Sequence, residues 1–347
     1  MLENKTANNV IKRYHRILMG DQNQIKAEGS NIVDRYHRFV SGNNNQLEES
    51  GEIDYLLFRS NGSFAMTNYW HYTSGELYYK KKLSDNWEIW EKNSEITSGK
   101  SGEFYTIYLK GNADQLTRFG GSTLYIDGLE LVDCIGKITN LIDDPDTAVY
   151  SGAFYDCDLL RTAPELPSLT LSSNCYNSMF ARCENLIVAP ELPALELSNA
   201  CYSSMFNGCS SLKIAPELPA TILANSCYYR MFGSSGIIDA PQLLAETLAQ
   251  SCYEEMFNAC DNLKTLPILK ATSLPNYCYA SMFQNCDKIK ISETQTEEYI
   301  NEYRIPYNGS ATIGTNPLLN MFNLSGGTFA GTPTIETIYY TANDIIV

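Results

Sequence analysis

The chain has 347 residues, a net charge of -15 and a pI near 4.7. This length exceeds one usual hydrophobic core, so we expect a multidomain protein. The acidic charge argues against a nucleic-acid partner. The sequence contains no run of about 18 apolar residues, so we do not expect membrane insertion.

Residues 1–45 are predicted to form a helical attachment arm. They hold seven Lys and Arg against four Asp and Glu, a net of +3 that leaves -18 for the remainder. Segments 9–20 and 31–42 share RYHR, apolar residues at helical spacing and a closing glycine, which is typical of two amphipathic helices. These helices dock on another protein or, alternatively, pack as a hairpin on their own chain. The candidate assembly residues are Arg13, Tyr14, Arg16, Arg35, Tyr36 and Arg38.

Residues 51–133 are predicted to form a β-sandwich. Short aromatic segments alternate there with Gly, Asn and Ser turns every 8 to 15 residues. The aromatic side chains either fill the sandwich core or form a sugar-stacking platform. These side chains are Tyr69, Trp70, Tyr72, Tyr78, Tyr79, Trp87 and Trp90.

Residues 134–291 contain a repeat in which CYxxMFxxC and LxxAPELPA alternate. Full copies of the first motif begin at Cys175, Cys201, Cys252 and Cys278, and a copy without its second cysteine begins at Cys227. The methionines are 26, 26, 25 and 26 residues apart, from Met179 to Met282. A fixed period of this length predicts a solenoid, in which each unit buries its apolar side against its neighbours.

Each repeat is predicted to pair a short helix with an extended segment. CYxxMF follows Asn or Ser and spaces its apolar residues helically, whereas the two prolines of APELP favour extended backbone. Equivalent residues then form columns through a continuous core. The shortened copy predicts a bulge near Ser235.

The eleven cysteines are interpreted as reduced core residues. Nine of them fall on two repeat columns, where a small apolar side chain fits, and no CxxC or Cys/His metal spacing is present. The segment 143–146, DDPD, has a calcium-like composition but lacks the Gly and distant Glu of a calcium loop. We therefore expect neither a metal site nor a cofactor.

The repeat MFxxCxxLxxAPELP resembles the BspA-type leucine-rich repeat, especially the form found in Bacteroides-type bacteria and their crAss-like phages. The resemblance covers about half of the chain, from Phe154 to about Ile291. It implies an α/β leucine-rich-repeat solenoid with repeats of ~26 residues. With the arm and the sandwich, the expected fold class is a multidomain protein of helical arm, β-sandwich and leucine-rich-repeat solenoid. It also implies binding or adhesion surfaces, without specifying a ligand.

Two series of equivalent residues are candidates for a ligand surface. The acidic series repels itself unless a cation or basic partner binds, or unless the side chains splay into water. The aromatic series forms either an exposed row of rings or internal packing between repeats. The two series are Glu165, Glu191 and Glu217, and Tyr176, Tyr202, Tyr228, Tyr253 and Tyr279.

Residues 292–347 depart from the repeat and are predicted to cap the solenoid or to pair with another copy. No nucleophile elbow, phosphate-binding Gly loop or isolated acidic pair occurs in the sequence, so we do not expect an enzyme.

The sequence favours a phage virion protein, a head or tail fibre or decoration subunit. Its arm would bind other virion proteins, and its repeats would bind a host surface protein or glycan in a homo-oligomer. No apolar leader follows Met1, so we expect the virion as the location, after synthesis in the host cytoplasm. The alternatives are a BspA-like adhesin at the bacterial cell surface and an intracellular protein-interaction scaffold.

Overall fold

The computed structural model describes residues 54–117, 124–305 and 313–342, which belong to one compact unit. In these three ranges the only helical element is a 3-10 helix, Ile138–Leu141, and no α-helix is present. The strands are short, and long parts of the chain run as successive turns. Small sheets and hydrogen-bonded turns therefore make up this part of the molecule.

Three sheets contain the strands of the described ranges. In chain order the strands are β1 Leu56–Ser60, β2 Phe64–Asn68, β3 Leu77–Lys80, β4 Glu88–Ile89, β5 Glu95–Thr97, β6 Gly99–Ser101, β7 Phe104–Gly111, β8 Leu124–Gly128, β9 Val132–Ile135, β10 Leu160–Thr162, β11 Lys290–Ser292, β12 Asn301–Arg304, β13 Gly326–Gly327 and β14 Ile338–Thr341. The largest sheet has the order β10-β9-β1-β7-β3-β4, with β6 also paired to β7. The smaller sheets have the orders β12-β14-β11-β13 and β5-β2-β8.

The repeats form a series of stacked coils, which we call the coil stack (residues 150–286 and 315–325). Successive backbone N–H groups of the CYxxMFxxC motif donate in turn to a carbonyl of the same coil and to a carbonyl of the next coil. The Met179 N–H donates to the Tyr176 carbonyl of its own coil at 3.2 Å, whereas the Phe180 N–H donates to the Met205 carbonyl of the next coil at 3.0 Å. In the CYxxMFxxC part of each repeat, about every second backbone N–H thus joins one coil to the next.

Left-handed backbone recurs at every fourth residue around the CYxxMFxxC motif of each repeat. In the first full repeat Asn174, Ser178 and Arg182 have φ values of 60°, 53° and 63°. An α-helix requires negative φ throughout, so the predicted short helix is wrong, and the α/β leucine-rich-repeat fold class is wrong with it. Among the described residues with positive φ none is β-branched, since Val, Ile and Thr tolerate this conformation least.

Equivalent apolar side chains form the predicted columns. Successive phenylalanine rings are nearly parallel, with centroids 5.5 to 5.8 Å apart. The column in the described part of the chain contains Phe154, Phe180, Phe206, Phe232, Phe257, Phe283 and Phe322. All of these rings are inaccessible to solvent, so the column is the axis of one continuous core.

The extended side of each coil contains few regular strands. Parallel pairing occurs at isolated bridges, such as Thr162 with Val188 and Glu196 with Ile222. The prolines of the APELP motif lack the N–H group that a continuous ladder requires. Extended backbone is therefore present there without a long sheet.

The sheets near the N-terminal side close one end of the coil stack. The Trp70 indole N–H donates to the Ala153 carbonyl at 2.6 Å, and the Trp70 ring meets the Phe154 ring edge to face at 5.9 Å. The buried Asp133 carboxylate of β9 accepts hydrogen bonds from the Arg161 guanidinium of β10 at 2.8 and 2.6 Å. The largest sheet takes its edge strand β10 from the repeats, so it continues beyond the residues 51–133 of the predicted β-sandwich.

The opposite end carries an additional coil that the sequence analysis did not recognise. Phe322 continues the phenylalanine column, and the Phe283 N–H donates to the Met321 carbonyl at 2.9 Å. The Tyr303 and Phe329 rings then cover Phe322 edge to face. The segment after Ile291 therefore extends and closes the stack.

The predicted helical arm lies outside the described residues. The predicted domain boundaries near residues 45, 133 and 291 stay a prediction.

The shortened repeat approaches its neighbour closely at Gly236. A Cβ atom at this position would lie 2.0 Å from the Ser210 carbonyl oxygen, which no substituted residue can occupy without a backbone shift. Ser235 takes the place of the missing cysteine and is buried. The close contact between Gly236 and Ser210 thus lies in the repeat that is one residue shorter than the others, next to the bulge predicted near Ser235.

Replacing one ring of the column should destabilise the whole stack. Phe206→Ala leaves a cavity between two stacked rings, and we expect it to lower the free energy of unfolding by about 3–5 kcal/mol. Equilibrium unfolding in urea measures the change. The control Leu129→Ala alters a side chain that is 98% exposed and should have an effect within about 0.5 kcal/mol. Equal effects of the two substitutions would contradict the column as the core.

Candidate functional site

A row of glutamates follows the side of the coil stack. Glu165, Glu191 and Glu217 each follow the repeated Ala-Pro pair, and the leucine after each of them is buried. The glutamate side chains therefore point outward at equivalent positions of three adjacent coils. The next two coils place Gln242 and Ile268 at this position, so the acidic row ends after three coils.

The glutamates are close enough to affect one another. The pKa of Glu191 is raised by partial desolvation and then by the charges of Glu165 and Glu217. A raised pKa is the expected response of a carboxylate with a like-charged neighbour on each side. The row therefore presents a concentrated negative charge to a partner.

Exposed apolar side chains follow the glutamates of the acidic row four or five residues later in the same three coils. Leu169, Leu195 and Ile222 are 68%, 59% and 55% exposed. The Leu197 N–H donates to the Ile222 carbonyl at 2.9 Å, which fixes the register of two of these coils. The combined surface, the acidic-apolar wall, consists of Glu165, Leu169, Glu191, Leu195, Glu217 and Ile222.

The predicted tyrosine series lies in the interior. Tyr176, Tyr202, Tyr228, Tyr253 and Tyr279 are each 1% exposed. With Tyr150 they form a second ring column, with centroids 5.4 to 5.8 Å apart. The turn backbone buries both the cysteine and the following tyrosine, unlike a strand that alternates its faces. The tyrosines are thus corrected from a candidate ligand surface to internal packing.

The cysteines are buried free thiols. All eleven lie in the described ranges, and none forms a disulfide. The thiol of the second cysteine in the CYxxMFxxC motif donates to the phenylalanine carbonyl of the preceding coil. The distance is 2.9 Å from Cys183 to Phe154 and 3.1 Å from Cys209 to Phe180. Burial raises the pKa of Cys260 to about 11 and that of Cys175 to about 12. These thiols are therefore neutral near physiological pH and poorly placed for nucleophilic or metal-binding chemistry.

The DDPD segment forms a hydrogen-bonded turn. The Asp144 carboxylate accepts a hydrogen bond from the Asp146 N–H at 3.2 Å and from the Thr147 hydroxyl at 2.9 Å. Within residues 54–117, 124–305 and 313–342 no group of three or more His, Cys, Asp or Glu side chains is arranged to hold a metal ion. The geometry of the segment is that of a surface turn.

Other candidates divide between the interior and the surface. Trp70, Tyr72 and Trp90 are buried, whereas Tyr69, Tyr78, Tyr79 and Trp87 are at least partly exposed. Three of the seven aromatic residues proposed for the sugar platform are therefore core residues. The six arm candidates lie outside the described residues; they are Arg13, Tyr14, Arg16, Arg35, Tyr36 and Arg38.

One surface constellation was missed by the sequence reasoning. The Lys80 and Lys110 ammonium groups lie 4.7 and 4.6 Å from the centre of the Trp87 ring. The run of three lysines after Tyr79 is a visible signal, but the contact also requires the pairing of β3 with β7. Sequence spacing alone does not show this pairing.

Comparison with known proteins identifies no relative. No protein-family model, curated protein or solved structure matches the chain. Across the described ranges, no helix is long and apolar enough to cross a membrane.

The buried thiols should be protected in the folded protein. We expect native protein to react only slowly with a thiol reagent such as DTNB at mildly alkaline pH, because the thiols are inaccessible and their pKa values are raised by burial. In denaturing guanidinium chloride all eleven should react. Rapid reaction of several thiols in the native state would contradict the closed columns.

Removing the central charge of the acidic row should stabilise the protein near neutral pH. The raised pKa of Glu191 means that the folded state binds a proton that the unfolded state has released, so ionisation above the folded pKa costs stability. Glu191→Gln should then raise the free energy of unfolding by up to about 0.5 kcal/mol, because solvent screens surface charges.

The pH dependence separates this effect from a general effect of substitution. The gain from Glu191→Gln should disappear below the ordinary glutamate pKa, where both states are protonated. Urea unfolding at several pH values measures it, with Glu246→Gln as an exposed control on another coil. An equal gain in the control variant would show that the row is not responsible.

Proposed function

We propose that the chain is a structural protein of a phage virion, a fibre or decoration subunit of the head or tail. Residues 1–45 anchor it to other virion proteins, and the acidic-apolar wall contacts the host surface. The single observation that carries this proposal is the uninterrupted phenylalanine column with an aromatic cover at each end. Such a stack is suited to holding a surface in place.

The chemistry of the coil stack favours binding over catalysis. Its thiols and phenols are buried in columns, and burial raises the pKa of groups such as Cys183 and Tyr228 well above their ordinary values. They cannot readily act as nucleophiles or bases toward a substrate in solvent. The proposal therefore assigns the protein no enzymatic step.

The acidic-apolar wall favours a protein partner on the host. Three carboxylates on adjacent coils attract basic groups, and the exposed Leu and Ile side chains of the same coils provide apolar area that a binding partner can bury. Because the backbone hydrogen bonds between coils fix the spacing, the wall requires little rearrangement on binding. A symmetric homo-oligomer would present several such walls.

A BspA-like bacterial surface adhesin is the second candidate. The MFxxCxxLxxAPELP motif and its resemblance to that repeat type favour it. The acidic-apolar wall would serve adhesion equally well. An intracellular interaction scaffold is a third candidate. It would use the acidic-apolar wall for binding but would give the basic arm no role.

Mass spectrometry of purified particles tests the leading proposal. We expect peptides of this chain in gradient-purified, protease-washed virions at a stoichiometry that follows the capsid protein. A chain lacking residues 1–45 should be absent from the particles, because its charged anchor is missing. As a control, a chain with Glu246→Gln should be incorporated normally. Absence of the full chain from virions, or its presence in the bacterial envelope fraction, would contradict the virion assignment.

A further inference from the structure

The outer face of the largest sheet carries a group of aromatic, aliphatic and lysine side chains. In the strand register Tyr78 lies opposite both Ile89 and Lys110, and Lys80 lies opposite Tyr108. Directly paired residues of antiparallel strands point to the same side of a sheet. These side chains therefore share one face, while their neighbour Leu77 is buried on the other.

Trp87 and two lysines form the centre of this face. The ammonium groups of Lys80 and Lys110 lie 4.7 and 4.6 Å from the Trp87 ring centre, within the range of cation–π attraction. Lys80 also donates to the Leu83 carbonyl at 3.0 Å. We name the lysine-tryptophan face by Tyr78, Lys80, Leu83, Trp87, Ile89 and Lys110.

The two lysine charges have no acidic counterpart in the described structure. Neither ammonium group lies within ion-pair distance of a carboxylate in residues 54–117, 124–305 or 313–342. Two cations held by the same ring repel each other, and a single anion between them would relieve the repulsion. This local positive charge occurs on a chain whose net charge is -15.

Apolar area beside the lysines adds a second requirement for the ligand. Leu83 and Ile89 are 53% and 49% exposed, and Trp87 is half-buried. The Tyr78 hydroxyl donates to the Glu76 carboxylate at the edge of the face, so a polar pair lies next to the apolar side chains. A suitable ligand therefore has an anionic group, an apolar ring face and hydroxyl groups.

We propose that the lysine-tryptophan face binds an acidic saccharide, a sugar ring that carries a carboxylate or sulfate. The anion would lie between Lys80 and Lys110, and the ring face would pack on Trp87. A long nucleic acid is less suitable, since the acidic remainder of the chain repels an extended polyanion. An acidic peptide supplies the charge but lacks the ring. This site lies on the sheet and is separate from the acidic-apolar wall.

Calorimetric titration of the full chain with defined polymers tests the proposal. Polygalacturonate and dextran sulfate present carboxylates and sulfates on sugar rings, dextran is uncharged, and polyglutamate presents carboxylates without sugar rings. We expect binding of at least one acidic saccharide and at least tenfold weaker binding of dextran and polyglutamate. Which of the two saccharides binds more tightly identifies the anionic group.

Matched substitutions locate the binding site. The double variant Lys80→Gln, Lys110→Gln should weaken saccharide binding at least tenfold, and Trp87→Ala should weaken it as well. The control Lys264→Gln, Lys270→Gln makes the same change in net charge at exposed lysines of the coil stack and should leave binding unchanged. An unchanged urea midpoint for the first double variant excludes a folding defect as the cause.

Several results would overturn this proposal. The proposal is wrong if no saccharide binds, or if the control lysine pair loses as much binding as the Lys80 and Lys110 variant. It is also wrong if polyglutamate binds equally well, which would indicate an acidic-peptide site. None of these results affects the virion assignment, because particle mass spectrometry does not depend on a saccharide. Conversely, absence from virions leaves the titrations interpretable.

Discussion

The in-register stacking of one coil on the next is the constraint on which the rest of the structure depends. The Phe180 N–H donates to the Met205 carbonyl of the next coil, and the Phe206 N–H donates to Met231 in the same way. A one-residue slip would break these bonds and separate the stacked rings, so side chains, backbone and turns must agree in register. The outward rows follow from the same register, because residues equivalent in sequence become neighbours in space.

Much of the repeat region could be predicted from sequence, because its period and apolar columns are explicit in the residues. The backbone within the repeat could not, since Cys, Met and Phe three to five residues apart suit both a helix and a chain of turns. The absence of β-branched residues at Asn174, Ser178 and Arg182 and their equivalents was the available signal. The last coil was missed because Met321 follows Met282 by 39 residues, with β11 and β12 inserted between them.

The candidate sites differ in how far sequence determines them. The outward position of Glu191 follows from the repeat, because its buried neighbour Leu192 fixes which side faces the core. The tyrosine series shares the same period, yet period alone does not distinguish a buried column from an exposed row. The lysine-tryptophan face depends on the pairing of separate strands. Lys110 lies on β7 and contacts Trp87, the residue that directly precedes β4. Such long-range pairing is not encoded in any local spacing.

The closed ends of the phenylalanine column have a consequence for the size of the molecule. Trp70 and Phe58 contact Phe154, while Tyr303 and Phe329 contact Phe322, so neither group of covering residues contacts the rings between them. Internal coils can therefore be gained or lost by duplication or deletion without rebuilding either end. Each such event would lengthen or shorten the stack by about one ring spacing, close to 5.8 Å. The length of the coil stack is thus adjustable in discrete steps while the residues that cover its two ends stay the same.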